Sequence, residues 1–234
     1  MATVHVGCLL YDYQAIDVVG PCDLLNSCGK HIANALTFFG PALQKAPDSV
    51  FHHIGPTLEP VSLLTSGLKI QPTTTVDDCP ELDCLLIGGP APVGFEMPPK
   101  YPEFIQRHVA AGKLVFTSCT GAAVAAAAGV LDGKHATINN VEYEWAAKQF
   151  PKVKWTREKK WIVDGNIWTG SGAVAAMDMV AHWVKENFGM AVLVQGCLGL
   201  DYEPRDSDGL FTVLPPRYDE SGNRIATHVF RYHS

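Results

Sequence analysis

The chain has 234 residues, a mass of 25.4 kDa, 47% hydrophobic and 18% charged residues and a formal net charge of -6, which suits one large α/β domain and excludes a disordered, fibrous or membrane-type composition. The acidic balance argues against a nucleic-acid surface, which needs clustered Lys and Arg, and leaves small molecules or protein as the expected partners. No apolar run reaches membrane-spanning length, the opening MATVHVGCLLYDYQ lacks the marks of a secretory signal, and seven scattered cysteines do not form a disulfide framework, so a cytoplasmic protein is expected.

In chain order, Val4–Leu10 is an apolar, β-rich run, and Pro21–Ser27 follows as a helix with Pro21 just inside its start. Val50–Ile54 is the next strand, Val61–Ile70 a hairpin-like insert, and Asp83–Ile87 a strand ending in Gly88 and Gly89. The helix Pro102–Ala111 leads to the strand Leu114–Thr117 and the alanine-rich helix Thr120–Ala128, which Gly129 closes. Val141–Phe150 is helical, Trp161–Val163 extended, and Ala173–Phe188 a helix whose apolar positions keep helical spacing throughout. Strands alternating with helices imply a mostly parallel sheet covered on both faces. Residues 1–202 are read as one α/β domain. Residues 203–234, rich in Pro, Asp, Arg and Ser, are read as an irregular tail packed on the core or on a partner subunit.

Cys119 lies where the buried strand of KLVFTSC meets the helix of TGAAVAAAAGVLDG. A side chain at so abrupt a turn is held out of both elements and points into the crevice beyond the strand's carboxyl end, where open α/β sheets bind ligands. The helix aims its free N–H groups toward the sulfur, so the thiolate is expected below the ordinary value of about 8.5. Ser118, Thr120, Gly121, Ala122 and Ala123 are small enough for a ligand to approach, with Gly121 allowing close backbone. Cys8, Cys22, Cys28, Cys84 and Cys197 read as buried structural residues. Cys79 and Cys84 are too far apart for a CxxC pair and no second ligand cluster balances them, so no metal is expected. His52 and His53, adjacent on a strand, face opposite ways and cannot share one metal.

Asp17, in the apolar run AIDVVGP, has two readings. It is either a helix-start acid interacting with the dipole, or a proton donor and acceptor whose pKa is raised by its apolar neighbours. Gly88 and Gly89 either present N–H groups to developing negative charge or merely turn the chain. Thr120 offers a hydroxyl and an N–H beside the sulfur. Ser171, at the start of the last long helix, is a site residue or only that helix's N-cap.

Four ordered segments, AIDVVGPCDLL, PVSLLTSGLKIQPTTTVDDCPELDCLLIGGP, FTSCTGAAVAAAAGVLDGKHAT and WTGSGAVAAMDMVAHWV, resemble the DJ-1/PfpI superfamily, nearest its isonitrile hydratase-like branch, over roughly residues 4–200. The resemblance implies a flavodoxin-like three-layer sandwich with a nucleophile elbow at Cys119, and catalytic roles for Cys119 and Asp17. It also implies a pocket formed by Gly88, Gly89, Thr120, Gly121, Asn139 and Ser171. Many members carry a histidine near the cysteine within a stretch similar to A-T-T-H-W; here ATINN places Asn139 there, and His135 lies too far along the strand to replace it. The implied activity is a cofactor-free hydratase or lyase acting on a small electrophilic carbon, foremost an isonitrile. The other readings are an α-oxoaldehyde hydratase of the glyoxalase type, a lyase or cyclase of specialised metabolism, or a non-catalytic cysteine redox sensor. Family habit, with the apolar tail residues Leu210, Phe211 and Val213, implies a homodimer.

Overall fold

A computed structural model of the chain describes residues 3–35 and 44–215, together with 219, 221 and 223; most of 216–234, including much of the expected tail, lies outside the described residues. Seven strands form the central sheet: β1 (Thr3–Leu9), β2 (Asp48–Gly55), β5 (Thr74–Thr75), β6 (Cys84–Ile87), β7 (Leu114–Ser118), β10 (Trp161–Asp164) and β11 (Ile167–Gly170). Their order is β10-β11-β7-β6-β1-β2-β5, and every pairing is parallel except β10 with β11. The strands β3 (Val61–Ser62) and β4 (Lys69–Ile70) form the expected antiparallel hairpin insert, and β8 (His135–Ala136) pairs with β9 (Lys154–Trp155) apart from the main sheet. The burial of every residue of β6 explains its unbroken apolar sequence.

The helices are α1 (Ile16–Ser27), α2 (Lys30–Ala35), α3 (Tyr101–Ala110), α4 (Gly121–Ala127), α5 (Tyr143–Gln149), α6 (Ala173–Phe188) and α7 (Met190–Gly199). On one layer α1, α6 and α7 pack against one another, and on the other α3 lies against α4, giving the flavodoxin-like three-layer sandwich. Phe116 of β7 packs edge-on against both Trp183 of α6 and Trp168 of β11, at centroid distances of 5.7 Å. No helix among the described residues is long and apolar enough to cross a membrane.

Several elements depart from the sequence reading. The first helix starts at Ile16, so Pro21 is interior and removes the N–H that would reach the carbonyl of Asp17. Asp17 thereby stands within the first turn. Strand β11 and helix α7 are additional to the expected elements. Gly196 lets α7 approach α1 closely: a side chain there would begin 2.2 Å from Sγ of Cys28. Gly172, not Ser171, is the N-cap of α6.

Beyond α7 the chain crosses back over the core. The fully buried Asp178 accepts hydrogen bonds from the Tyr202 hydroxyl, from the Arg205 backbone N–H at 3.0 Å and from the Arg205 Nε at 2.9 Å. Further on, Ser207 O accepts from Lys160 N, beside the start of β10. Val213 is buried in the chain's own core, so it is not free to cover a neighbouring subunit as expected, whereas Leu210 and Phe211 are exposed.

An equally tight approach lies under the elbow, where a Cβ on Gly121 would stand 2.2 Å from the carbonyl oxygen of Ile87. Gly121 therefore serves helix-to-strand packing and does not open the backbone to a ligand. Alanine gains at most about 1 kcal/mol of helix propensity over glycine, while forced overpacking against a backbone atom costs about 1–3 kcal/mol or more. Gly121→Ala is expected to lower the urea unfolding midpoint, and an unchanged midpoint would refute this account of the elbow.

Candidate active site

Strand β7 ends at Ser118 and α4 begins at Gly121, leaving two residues to reverse from extended to helical backbone. Cys119 absorbs the reversal with φ of +56°, a left-handed conformation that disfavours any side chain other than glycine's. Its backbone N–H is fixed by a 3.0 Å bond to the carbonyl of Gly170 at the end of β11. The sulfur is half-buried and accepts a hydrogen bond from Nδ2 of Asn139 at 3.2 Å. Asn139 is itself pinned, because its Oδ1 accepts from the N–H of Val141 at 2.9 Å and so caps the short 3-10 turn Asn140–Glu142 that leads into α5.

Asp17 reaches the same place from the other layer. It is 1% exposed, Oδ1 accepts from the Ser118 hydroxyl at 2.7 Å, and Oδ2 accepts from the Gly89 N–H at 2.8 Å. Gly89 is the hinge between the two halves. A side chain there would start 2.9 Å from Oδ2 of Asp17 and 2.8 Å from the backbone nitrogen of Thr120. The carboxyl group and the elbow thus meet across a space that only glycine leaves open.

The expected donors divide. The N–H of Gly89 is occupied by Asp17, so it positions the acid and is not open to a substrate oxyanion. Gly88 O accepts from the Tyr11 hydroxyl at 2.7 Å, and a side chain at Gly88 would collide with Tyr13 and Val18. Its role is close packing beneath the site. The Thr120 hydroxyl donates to Pro90 O at 2.6 Å. Ser171 directly follows Gly170, the residue bonded to the elbow, and its own N–H donates to Lys160 O at 2.8 Å. His135 is exposed and pairs with Asp164, at 3.4 Å between Nδ1 and Oδ2, away from the sulfur. Tyr11 joins the site's framework without having been singled out in the sequence, and Ser118, noted there only as a small residue, serves as a donor to Asp17. The alternation of Thr117 and Ser118 at the strand's end is the signal that puts one hydroxyl on the α1 side.

Burial raises the pKa of Asp17, opposed by the hydrogen bonds from Ser118 and Gly89. The Cys119 thiol is also held up and not down as expected, first by burial and then by the neighbouring Asp17, against the donors of Asn139 and Thr120. The reason is physical: α4 is only seven residues long, and its end dipole is outweighed by desolvation and a nearby carboxylate. The two acids are thus linked electrostatically, the Asp17 carboxylate raising the thiol.

The DJ-1/PfpI family model matches residues 4–186. Over 232 residues the chain is 34% identical to the isonitrile hydratase of Pseudomonas putida, covering 95% of this chain and 90% of that protein. It is 28% identical over 125 residues to the HTH-type transcriptional regulator GbdR of Pseudomonas aeruginosa, covering 53% of this chain and 34% of the regulator. Among solved structures, a ThiJ/PfpI family protein from Pseudomonas syringae superposes with a TM-score of 0.70 at 23% identity, over 87% of this chain and 77% of that one, a likeness of fold.

The geometry fixes the signs of two substitutions on the sulfur. Asp17→Asn removes a negative neighbour and is expected to lower the Cys119 pKa. Asn139→Asp keeps the cap on Val141 but exchanges a donor for a charge, and is expected to raise it. Thiolate absorbance against pH, each variant corrected by its Cys119→Ser counterpart, reads both shifts; the same sign for both would contradict this assignment of causes.

Proposed function

The chain belongs to the DJ-1/PfpI family, and from that premise we propose that it is a cofactor-free isonitrile hydratase, converting an isonitrile and water to an N-substituted formamide. The observation that carries this reading is the buried Asp17 carboxyl, held between Ser118 and Gly89 beside the elbow cysteine, with Asn139 in place of an imidazole. The overall likeness to the Pseudomonas putida isonitrile hydratase adds support.

In the proposed reaction Sγ of the Cys119 thiolate bonds to the terminal carbon of the isonitrile and the proton of the Asp17 carboxyl passes to that carbon, giving a thioimidate. The Asp17 carboxylate then takes a proton from water as its oxygen adds to the carbon, and returns that proton to nitrogen. Finally the carboxylate accepts the new hydroxyl proton, the C–S bond breaks, and the formamide leaves with thiolate and acid restored. One carboxyl group serves every proton transfer, so no imidazole is required. Asn139 holds the sulfur in place by its Nδ2 donor. α-Oxoaldehyde chemistry is less well served here, because it draws on an imidazole that this pocket replaces with Asn139.

Asparagine fits the Asp17 site, since its oxygen can accept from Gly89 N–H while its Nδ2 donates to the Ser118 oxygen. Asp17→Asn is therefore expected to fold with a melting temperature near that of the parent while turnover falls by about 100- to 10,000-fold, the scale of general acid–base catalysis. Formamide production measured by mass spectrometry tests this, and turnover within about threefold of the parent would remove Asp17 as the proton carrier. A homodimer is part of the same reading, supported by exposed Leu210 and Phe211. Light scattering at micromolar concentration should give twice the 25.4 kDa chain mass; the single-chain mass would exclude it.

A further inference from the structure

Two cysteines that the proposed reaction does not use meet between β1 and α1. Cys8, near the end of β1, is fully buried, Cys22 on α1 is half-buried, and their Sγ atoms stand 3.5 Å apart. Neither can drift far from the other. Strand β1 is fixed between β6 and β2 inside the sheet, and α1 is packed on α6 and α7, so residues fourteen positions apart in sequence are held together by the fold. The remaining step to a disulfide's S–S bond of about 2.05 Å is shared between two side chains, each of which carries its sulfur on one rotatable bond.

The two thiols differ in access, so a small oxidant meets Cys22 first while Cys8 stands behind it. Cys8 keeps its proton, because the hydrogen bond with Cys22, and then burial, hold it well above the usual thiol range. Tyr13 adds an independent sign. Its hydroxyl is buried without a hydrogen-bond partner. After burial, the sulfurs of Cys8 and Cys22 do most to raise its pKa, so it stands in the field of both. A buried donor without an acceptor is uncommon, and an oxygen carried on Cys22 is a group of the kind it lacks. Cys84 on β6 is a third sulfur near enough to raise the Cys8 pKa. Among the described residues, however, Cys8 and Cys22 alone share a thiol–thiol hydrogen bond.

We propose that Cys8 and Cys22 are a redox modification site, oxidised by hydrogen peroxide to an intrachain disulfide that ties α1 to β1. Peroxide transfers one oxygen to Sγ of Cys22, giving a sulfenic acid and one water. Sγ of Cys8 then attacks Sγ of Cys22, the S–S bond forms as the S–O bond breaks, and the Cys8 proton leaves with the hydroxide as a second water. One peroxide is thus reduced as two thiols are oxidised. Asp17 lies earlier on the same helix, so the strap fixes the element that bears the acid. The test uses the full chain with Cys119→Ser, which removes the elbow thiol from competition and makes the outcome independent of any turnover. After hydrogen peroxide, non-reducing digestion and mass spectrometry are expected to show the Cys8 peptide joined to the Cys22 peptide, with both thiols lost to maleimide labelling in denaturant. The urea unfolding midpoint should rise, because the crosslink constrains the unfolded chain, and dithiothreitol should reverse every change. Cys22→Ser and Cys8→Ala, each in the same background, should abolish the linked peptide and the shift. Cys22 is half-buried and accepts serine, so the test stands even where Cys8→Ala fails to fold. Oxidation of Cys22 to the sulfinic acid without a linked peptide, a bond from Cys22 to Cys84 in place of Cys8, or a midpoint shift that survives Cys22→Ser would each overturn the assignment.

Discussion

The left-handed backbone at Cys119 is the constraint on which the rest of the site depends. A non-glycine residue in that region costs about 1–2 kcal/mol, and it persists because three neighbours fix it at once. Gly170 O holds the Cys119 N–H, Gly121 lets the next turn of helix sit on the carbonyl of Ile87, and Ser118 is tied by its side chain to Asp17. The same ties run outward to β11, β6 and α1, so the elbow's geometry is set by three separate elements of the sandwich and not by the local sequence alone. Gly89 completes the arrangement, because its missing side chain is the space across which acid and elbow meet.

That arrangement trades one kind of reactivity for another. A helix terminus in open solvent would favour a free thiolate, but here the sulfur and the carboxyl share a desolvated space in which burial is the leading cause of both raised pKa values. Chemistry then belongs to the pair. The linkage to stability has a definite sign: a carboxyl whose pKa is raised on folding stabilises the fold fully below its unfolded value, and that contribution is lost as pH rises through the folded value. The raised thiol acts in the same direction at higher pH.

Much of the scaffold was legible in the chain. Strands β1, β6 and β7 show as apolar, β-rich runs and helix α6 by its helical period, and the passage from FTSC to an alanine run marks the elbow. What escaped has identifiable causes. Helix α7 is apolar nearly all round, as a buried helix is, and so lacks the amphipathic period that reveals one. Strand β11 is short, although Gly165-Asn166 before it is the two-residue loop of a tight hairpin. Pro21 suggested a helix start when it lies inside α1, because tertiary packing of α1 on α6 outweighs the lost backbone bond. The site residues were legible by type, but not their partners. That Gly89 N–H serves Asp17 and not a substrate depends on the register between β6 and α1, which no local pattern encodes.

The carboxylate of Asp178 lies on α6, inside the span that matches the family model, yet the groups that neutralise it, Tyr202 and Arg205, lie beyond that span. The boundary of the family match and the boundary of the packed fold are therefore different places. A fragment cut at Phe188 would retain the whole elbow while leaving a buried anion without its partners, a loss of about 3–5 kcal/mol from a total that in domains of ordinary stability is about 5–15 kcal/mol. Excision along the family boundary would preserve every atom of the chemistry and forfeit much of the stability that holds those atoms in register.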